Sequence, residues 1–290
     1  MRLALCLSLL AAPCLAGEAA TPVSVGGFAS PESVLLVGDH AYVSNIGPVL
    51  DPLAKDGDGF ISLLAADGTV LARHALPADG TRLDAPKGMA RIGGTLYVAD
   101  IDRVVGFDLA SGARLSVAEL PGGDPSLAND LAAEPGGTLL VSDTLRNALY
   151  RLDPETGIWT LLTDGLPGAN GIAIRPDGGI VVVGVGAGFA GGDTYALREG
   201  AAPERVAGGP HGLLDGVAIA PDGTVLVSDW VAFDPPAPGR LVAVAQNGST
   251  APVAAGTPLH GPADFALGPD GRLWVPEMPE NRVTILPAAE

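Results

Sequence analysis

Six polar residues recur at one position of a repeated pattern along the chain: Glu32, Lys87, Asn129, Asn170, Asp215 and Asp264. The carboxylates and amides among them are hard oxygen donors, and no His or Cys joins them. Such a set suits Ca2+ or a similar divalent cation better than a structural zinc. Acids gathered without a counter-charge repel one another, and a cation at their centre relieves that cost. Asn170-Gly171 and Asp215-Gly216 taken singly read as turn dipeptides. Glu32-Ser33 and Lys87-Gly88 do not, and the tight turns are written elsewhere, as Pro-Asp-Gly at 176–178, 221–223 and 269–271. The column as a whole therefore reads as a site.

The elements that must position these residues follow from the repeat. Each copy runs from the polar position into an apolar stretch, a turn, and a second apolar stretch that often closes on Ser or Ala and Asp, as in Ala99-Asp100, Ser142-Asp143 and Ser228-Asp229. Six copies start 41 to 55 residues apart, close to the roughly 40–50 residues of a four-stranded propeller blade. In the fourth copy, strands are expected at 171–174, 180–183, 194–197 and 204–206, each rich in β-formers. The last copy lacks a fourth strand, and segment 22–28 is expected to supply it. The pattern predicts an all-β fold: a six-bladed propeller of four-stranded antiparallel blades, closed by pairing the N-terminal strand with the last blade. The polar column would face the central channel near one rim, and 46–59 reads as an insertion in blade 1. The 41 Gly and 26 Pro of this 290-residue chain exclude coiled coils and helical bundles and belong in blade turns.

The first twenty residues read as a secretory signal peptide, with Arg2, an apolar run at 3–15 and small residues at Ala16 and Ala20. Residues 21–290 then form a single exported propeller domain, periplasmic or secreted. Cys6 and Cys14 both lie in the leader, so the mature chain would carry no disulfide and no catalytic thiol. A net charge of −17 argues against nucleic acid and anionic membrane surfaces, because no basic patch offsets it. A monomer acting on a small molecule, with no membrane insertion after cleavage, is the expectation.

The order of Glu32 in blade 1, Asn129 in blade 3, Asn170-Gly171 in blade 4 and Asp215-Gly216 in blade 5 resembles the gluconolactonase and senescence-marker-protein family of six-bladed propellers. Ala128-Asn129-Asp130-Leu131 is similar to that family's Pro-Asn-Asp-Leu segment, and Leu214-Asp215-Gly216-Val217 to its Pro-Asp-Gly-Met segment. The resemblance implies a divalent cation, Ca2+ foremost, held by Glu32, Asn170 and Asp215, with Asn129 at the substrate or a bridging water. It implies hydrolysis of a lactone or related ester, with Asp215 activating water. Asp130, Lys87 and Asp264 are further substrate-side candidates, Lys87 as a neutraliser of a carboxylate or a binder of an anionic group. The chain departs from the family after Glu32, where Ser33-Val34-Leu35 replaces Gly-Pro and a nearby Trp. A non-catalytic propeller that binds a small ligand or protein, braced by the metal, is the alternative.

Two other patterns carry less. Residues 186–191 match G-x-G-x-x-G, but no amphipathic helix follows to receive a pyrophosphate, so a blade 4 loop is expected. His211 and His260 each precede an inner strand by a few residues and are candidates for the channel mouth.

Overall fold

A computed structural model describes residues 21–288; the expected signal peptide lies outside the described residues. Six antiparallel sheets are arranged in chain order, each with its first strand innermost. Blade 1 comprises Pro31–Val37, His40–Asn45, Phe60–Ala65 and Val70–Leu76. Blade 4, whose strands were expected within a residue or two, comprises Ala169–Ile174, Ile180–Gly184, Thr194–Leu197 and Glu204–Arg205. Blade 6 is assembled from both ends of the chain. Ala266–Leu267, Leu273–Glu277 and Arg282–Leu286 are completed by Val23–Gly26, which pairs with Arg282–Leu286 in the register Val23↔Ile285 to Gly26↔Arg282. The ring thus closes as the repeat required, and no sheet is left with a long open edge at the seam.

Burial follows strand order. The second strands, such as Leu139–Asp143 (LLVSD) and Val225–Asp229 (VLVSD), are buried on both faces and read as nearly continuous apolar runs. Outer strands such as Arg114–Glu119 alternate half-buried and exposed residues. The core lies between neighbouring blades: Ile61 and Leu76 of blade 1 pack with Met89, Leu96, Val98 and Phe107 of blade 2, and Val34, Val43 and Leu64 pack with Trp274, Val283 and Ile285 across the seam. Apolar material is spent on the blade faces, which leaves the channel to polar side chains.

The Pro-Asp-Gly turns behave as their chemistry requires. Gly178, Gly223 and Gly271 all have φ near +80°, where a side chain is disfavoured. The preceding Asp accepts the amide beyond the turn, as Asp222 does from Thr224 at 2.9 Å.

Candidate functional site

The inner strands are not regular ladders. In blades 1 to 5 the pairing with the second strand shifts register within the same two-residue step: Glu32-Ser33, Lys87-Gly88, Asn129-Asp130, Asn170-Gly171 and Asp215-Gly216. Two residues there oppose one, which is a β-bulge, and a bulge turns a side chain out of the strand's alternation. The amide that the bulge frees is accepted by the Ser of the repeat: Ser33 donates to Ser44 Oγ at 2.9 Å, Asp130 to Ser142 Oγ at 2.9 Å and Gly216 to Ser228 Oγ at 2.7 Å. The Asp that follows holds the approach to the inner strand. Asp143 accepts the Leu127 amide, Asp100 the Ala85 amide, and Arg103 binds Asp100 at 2.7 Å. The recurring Ser-Asp pair is therefore scaffold for the bulge and not a reacting pair.

Blade 6 departs from the alignment read in the sequence. Pro262 bridges Glu277 as Leu214 bridges Asp229, and Ala266 pairs with Trp274 as Ala218 pairs with Leu226. The sixth member of the column is therefore Ala263, and Asp264 is one residue too late. Asp264 shares a layer with Ser33, Gly88, Asp130, Gly171 and Gly216. Its backbone joins the ring, accepting from Val34 and donating to Glu32, while its Oδ2 accepts the Ser33 hydroxyl at 2.5 Å. Asp130 is likewise drawn into a seam between blades: Oδ2 accepts the Ile172 amide and Oδ1 its neighbour Leu131, both at 2.6 Å. The five remaining column residues, Glu32, Lys87, Asn129, Asn170 and Asp215, line one cavity of about 880 Å3 at the end of the channel. Asp130 and Asp264 do not.

Three of the lining residues each carry a buried oxygen with no hydrogen-bond partner: Glu32 Oε2, Asn170 Oδ1 and Asp215 Oδ1. Buried polar atoms are nearly always paired, so three orphans on residues lining one space call for a ligand. They belong to the three residues expected to hold a divalent cation, and all are hard donors of the kind Ca2+ takes. Among the described residues, no three His, Cys, Asp or Glu side chains are grouped closely enough to hold a metal ion by themselves. Two carboxylates and the Asn170 amide are three hard donors of the right type, and water or substrate oxygens would have to supply the rest of the roughly six to eight that Ca2+ takes.

Neighbours fix the orientation of these groups. The Trp230 indole donates to Asp215 Oδ2 at 2.8 Å, which leaves Oδ1 as the free oxygen. Asn129 Nδ2 donates to Thr144 Oγ1 at 3.0 Å, and that hydroxyl donates to Ala169 O at 2.7 Å. Lys87 is 1% exposed and donates to the carbonyls of Ala85 at 2.7 Å and Pro52 at 2.9 Å. It thereby ties the 46–59 insertion to the cavity wall.

The electrostatics are those of a dry acidic pocket. Burial first, then the charges of Asp215 and Asp264, raises Glu32 well above its ordinary value. Burial and the charge of Asp264 push Asp215 up to about 7, against the hydrogen bond from the Trp230 indole. Burial lifts Asp264 to about 7 as well. The same desolvation pushes the Lys87 amine down to about 8, opposed by the charge of Glu32. Burial disfavours the charged form of every one of these groups, and for the carboxylates a bound cation would offset that cost.

The sequence reading missed the apolar wall. Trp230, Phe189, Phe233, Leu50, Pro236 and Met278 line the same cavity. Trp230 was signalled only by its place directly after Ser228-Asp229, and Phe189 sits in the glycine-rich loop, which is a blade 4 turn as expected. His260 reaches the cavity rim, whereas His211 is exposed and pairs with Asp193 at 3.0 Å away from it.

No protein-family model matches the chain, and no curated protein sequence does. Solved structures do resemble it. A calcium-binding protein, regucalcin, from Agrobacterium tumefaciens aligns over 89% of this chain and 90% of its own with 19% identity and a TM-score of 0.62. A structural-genomics protein provisionally described as a gluconolactonase aligns over 93% and 92% with 17% identity and a TM-score of 0.65. Virginiamycin B lyase from Staphylococcus aureus aligns over 93% and 99% with 12% identity and a TM-score of 0.62. At these identities the likeness is one of architecture, and the chain shares the propeller fold of the gluconolactonase and regucalcin structures.

Proposed function

We propose that the chain is an exported, divalent-cation-dependent hydrolase of a lactone or related ester, with its active site in the channel-end cavity. The observation that carries this reading is that Glu32, Asn170 and Asp215, which line one cavity of substrate size, each keep a buried hard oxygen without a partner. The fold shared with a gluconolactonase-like structure and a calcium-binding regucalcin supports it. Export rests on the leader sequence.

In this reading Glu32, Asn170 and Asp215 hold the ion. A bound cation of the Ca2+ type supplies Lewis-acid polarisation of the substrate carbonyl. Asn129, held by Thr144, orients the carbonyl or the attacking water. Asp215, oriented by the Trp230 indole, takes the proton from water as its oxygen adds to the carbonyl carbon. The ring C–O bond then breaks, and the same proton passes to the leaving oxygen, giving the hydroxy acid. The apolar wall excludes bulk water, which strengthens these interactions. Lys87 offsets part of the negative charge near Glu32.

Lactone hydrolysis by the mature chain, assayed with and without chelator beside metal analysis of the same sample, tests the reading. Activity that is lost on chelation and restored by Ca2+ supports it. Stoichiometric metal with no turnover across a broad lactone and ester panel returns the protein to the ligand-binding alternative.

A further inference from the structure

The cavity has two unlike halves. Its floor carries the polar column, and its wall is built from aromatic and aliphatic side chains on three separate loops. The Phe233 ring meets Trp230 edge-on at 5.1 Å between centroids and meets Phe189 at 6.3 Å, forming a three-ring ladder. Leu50 of the blade 1 insertion joins the same cavity lining. Phe189 and Phe233 are 41% and 43% exposed and Leu50 is 44% exposed, so folding leaves these apolar surfaces in water. The chain has only 13 Phe, Trp and Tyr residues in all, and three of them stand here. Phe189 also holds a φ of +61°, a left-handed conformation that is strained for a residue with a side chain. Core packing does not offset that strain, because the ring stays open to solvent.

We propose that this site takes an apolar ligand: one lactone or ester carbonyl carried on a bulky alkyl or aryl body. The carbonyl sits at Glu32, Asn170 and Asp215, and the body lies against Trp230, Phe189 and Phe233. Turnover of such a molecule rests on the hydrolase reading above, whereas the ligand class rests on the wall alone. Burying the body against the ladder removes apolar surface of both partners from water. A polyhydroxylated lactone would press its hydroxyls on the same wall without partners, a penalty that binding sites use to reject analogues. At the rim His260 and Glu280 pair with each other at 3.2 Å, which takes up part of their hydrogen-bonding capacity.

δ-Dodecalactone and glucono-δ-lactone share a six-membered ring ester and differ in what it carries. Their kcat/KM values are compared on the calcium-loaded mature protein, and their binding is measured by calorimetry on Asp215→Asn, with and without the added changes Phe189→Ala and Phe233→Ala. Both phenylalanines are partly exposed, so the fold should tolerate their loss. The expected result is a preference for δ-dodecalactone of about a hundredfold, reduced about tenfold or more through KM by the two Ala changes. Phe-dependent binding of δ-dodecalactone without turnover keeps the ligand class and removes the hydrolase reading. Equal or better turnover of glucono-δ-lactone, or a δ-dodecalactone KM unmoved by loss of both rings, overturns the ligand class and leaves the hydrolase reading standing. Failure of both lactones to bind or react overturns both.

Discussion

Trp230 donates its indole N–H to Asp215 Oδ2 at 2.8 Å, and that single contact decides which oxygen of Asp215 is left for a ligand. The free atom, Oδ1, is one of the three orphans on the cavity's lining residues. Trp230 also bears the edge of Phe233, so the same ring joins the polar floor to the apolar wall.

Trp230→Phe keeps an aromatic side chain but removes the N–H donor and part of the buried ring. Ca2+ affinity should then fall about 10- to 100-fold, the usual cost of losing a partner that orients a metal ligand. Thermal stability should also fall, by about 1–3 kcal/mol, because the smaller ring leaves space in the buried cluster of Ile46, Ala85, Ile101, Ala263 and Met278 and Asp215 Oδ2 loses its donor. Titration calorimetry and a melting curve check the two halves separately.

Glu32→Gln should raise the melting temperature of the cation-free protein at high pH, because burial and the charges of Asp215 and Asp264 disfavour a carboxylate that Lys87 offsets only in part, and Gln is a neutral amide of the same shape. The same change should abolish the stabilisation that Ca2+ gives the parent. A variant less stable than the parent without cation would contradict the electrostatic account of the pocket.

Asp215 titrates near 7 in the folded protein against an ordinary value of 3.8. The folded state then holds its proton more tightly than the unfolded chain, and unfolding releases that proton. Its contribution is most favourable below pH 4 and is lost as pH rises toward 7. Measured as wild type minus Asp215→Asn without cation, stability should fall from pH 5 to pH 8. The Ca2+-induced rise in melting temperature should grow over the same interval, because the ion binds the deprotonated ligand. Melting curves at pH 5, 6.5 and 8 check both signs.

Gly88 seats blade 2 against blade 3, where an added Cβ would stand 2.5 Å from Asp130 Cα and 2.8 Å from Asn129 O. Gly88→Ala should cost about 1–3 kcal/mol, the usual penalty of overpacking. Gly94→Ala, where nothing lies within 4 Å, should melt close to wild type. Chemical denaturation of the two variants makes the comparison.

Much of this was legible in the sequence because a propeller repeats its solution. Blade count, strand spans and the closing strand Val23–Gly26 follow from the period and the apolar stretches. The column Glu32, Lys87, Asn129, Asn170 and Asp215 was visible because the same bulge recurs in five blades. Blade 6 misled because Asp264 imitates Asp215 in type, while only backbone pairing shows that Pro262 and Ala263 fill the equivalent places. The wall was hidden for a different reason. Phe189, Phe233 and Leu50 come from loops outside the repeat, and no periodicity links residues that meet only when three loops fold over one channel.

The central claim is that Glu32, Asn170 and Asp215 together hold one divalent cation. Calorimetric titration of the chelator-stripped mature protein with Ca2+, run beside Asp215→Ala and Asn170→Ala, measures it most directly. The account predicts one equivalent bound by wild type and none, or binding weakened by about a hundredfold or more, in each variant. Absence of binding by wild type, or binding unchanged in both variants, would contradict it.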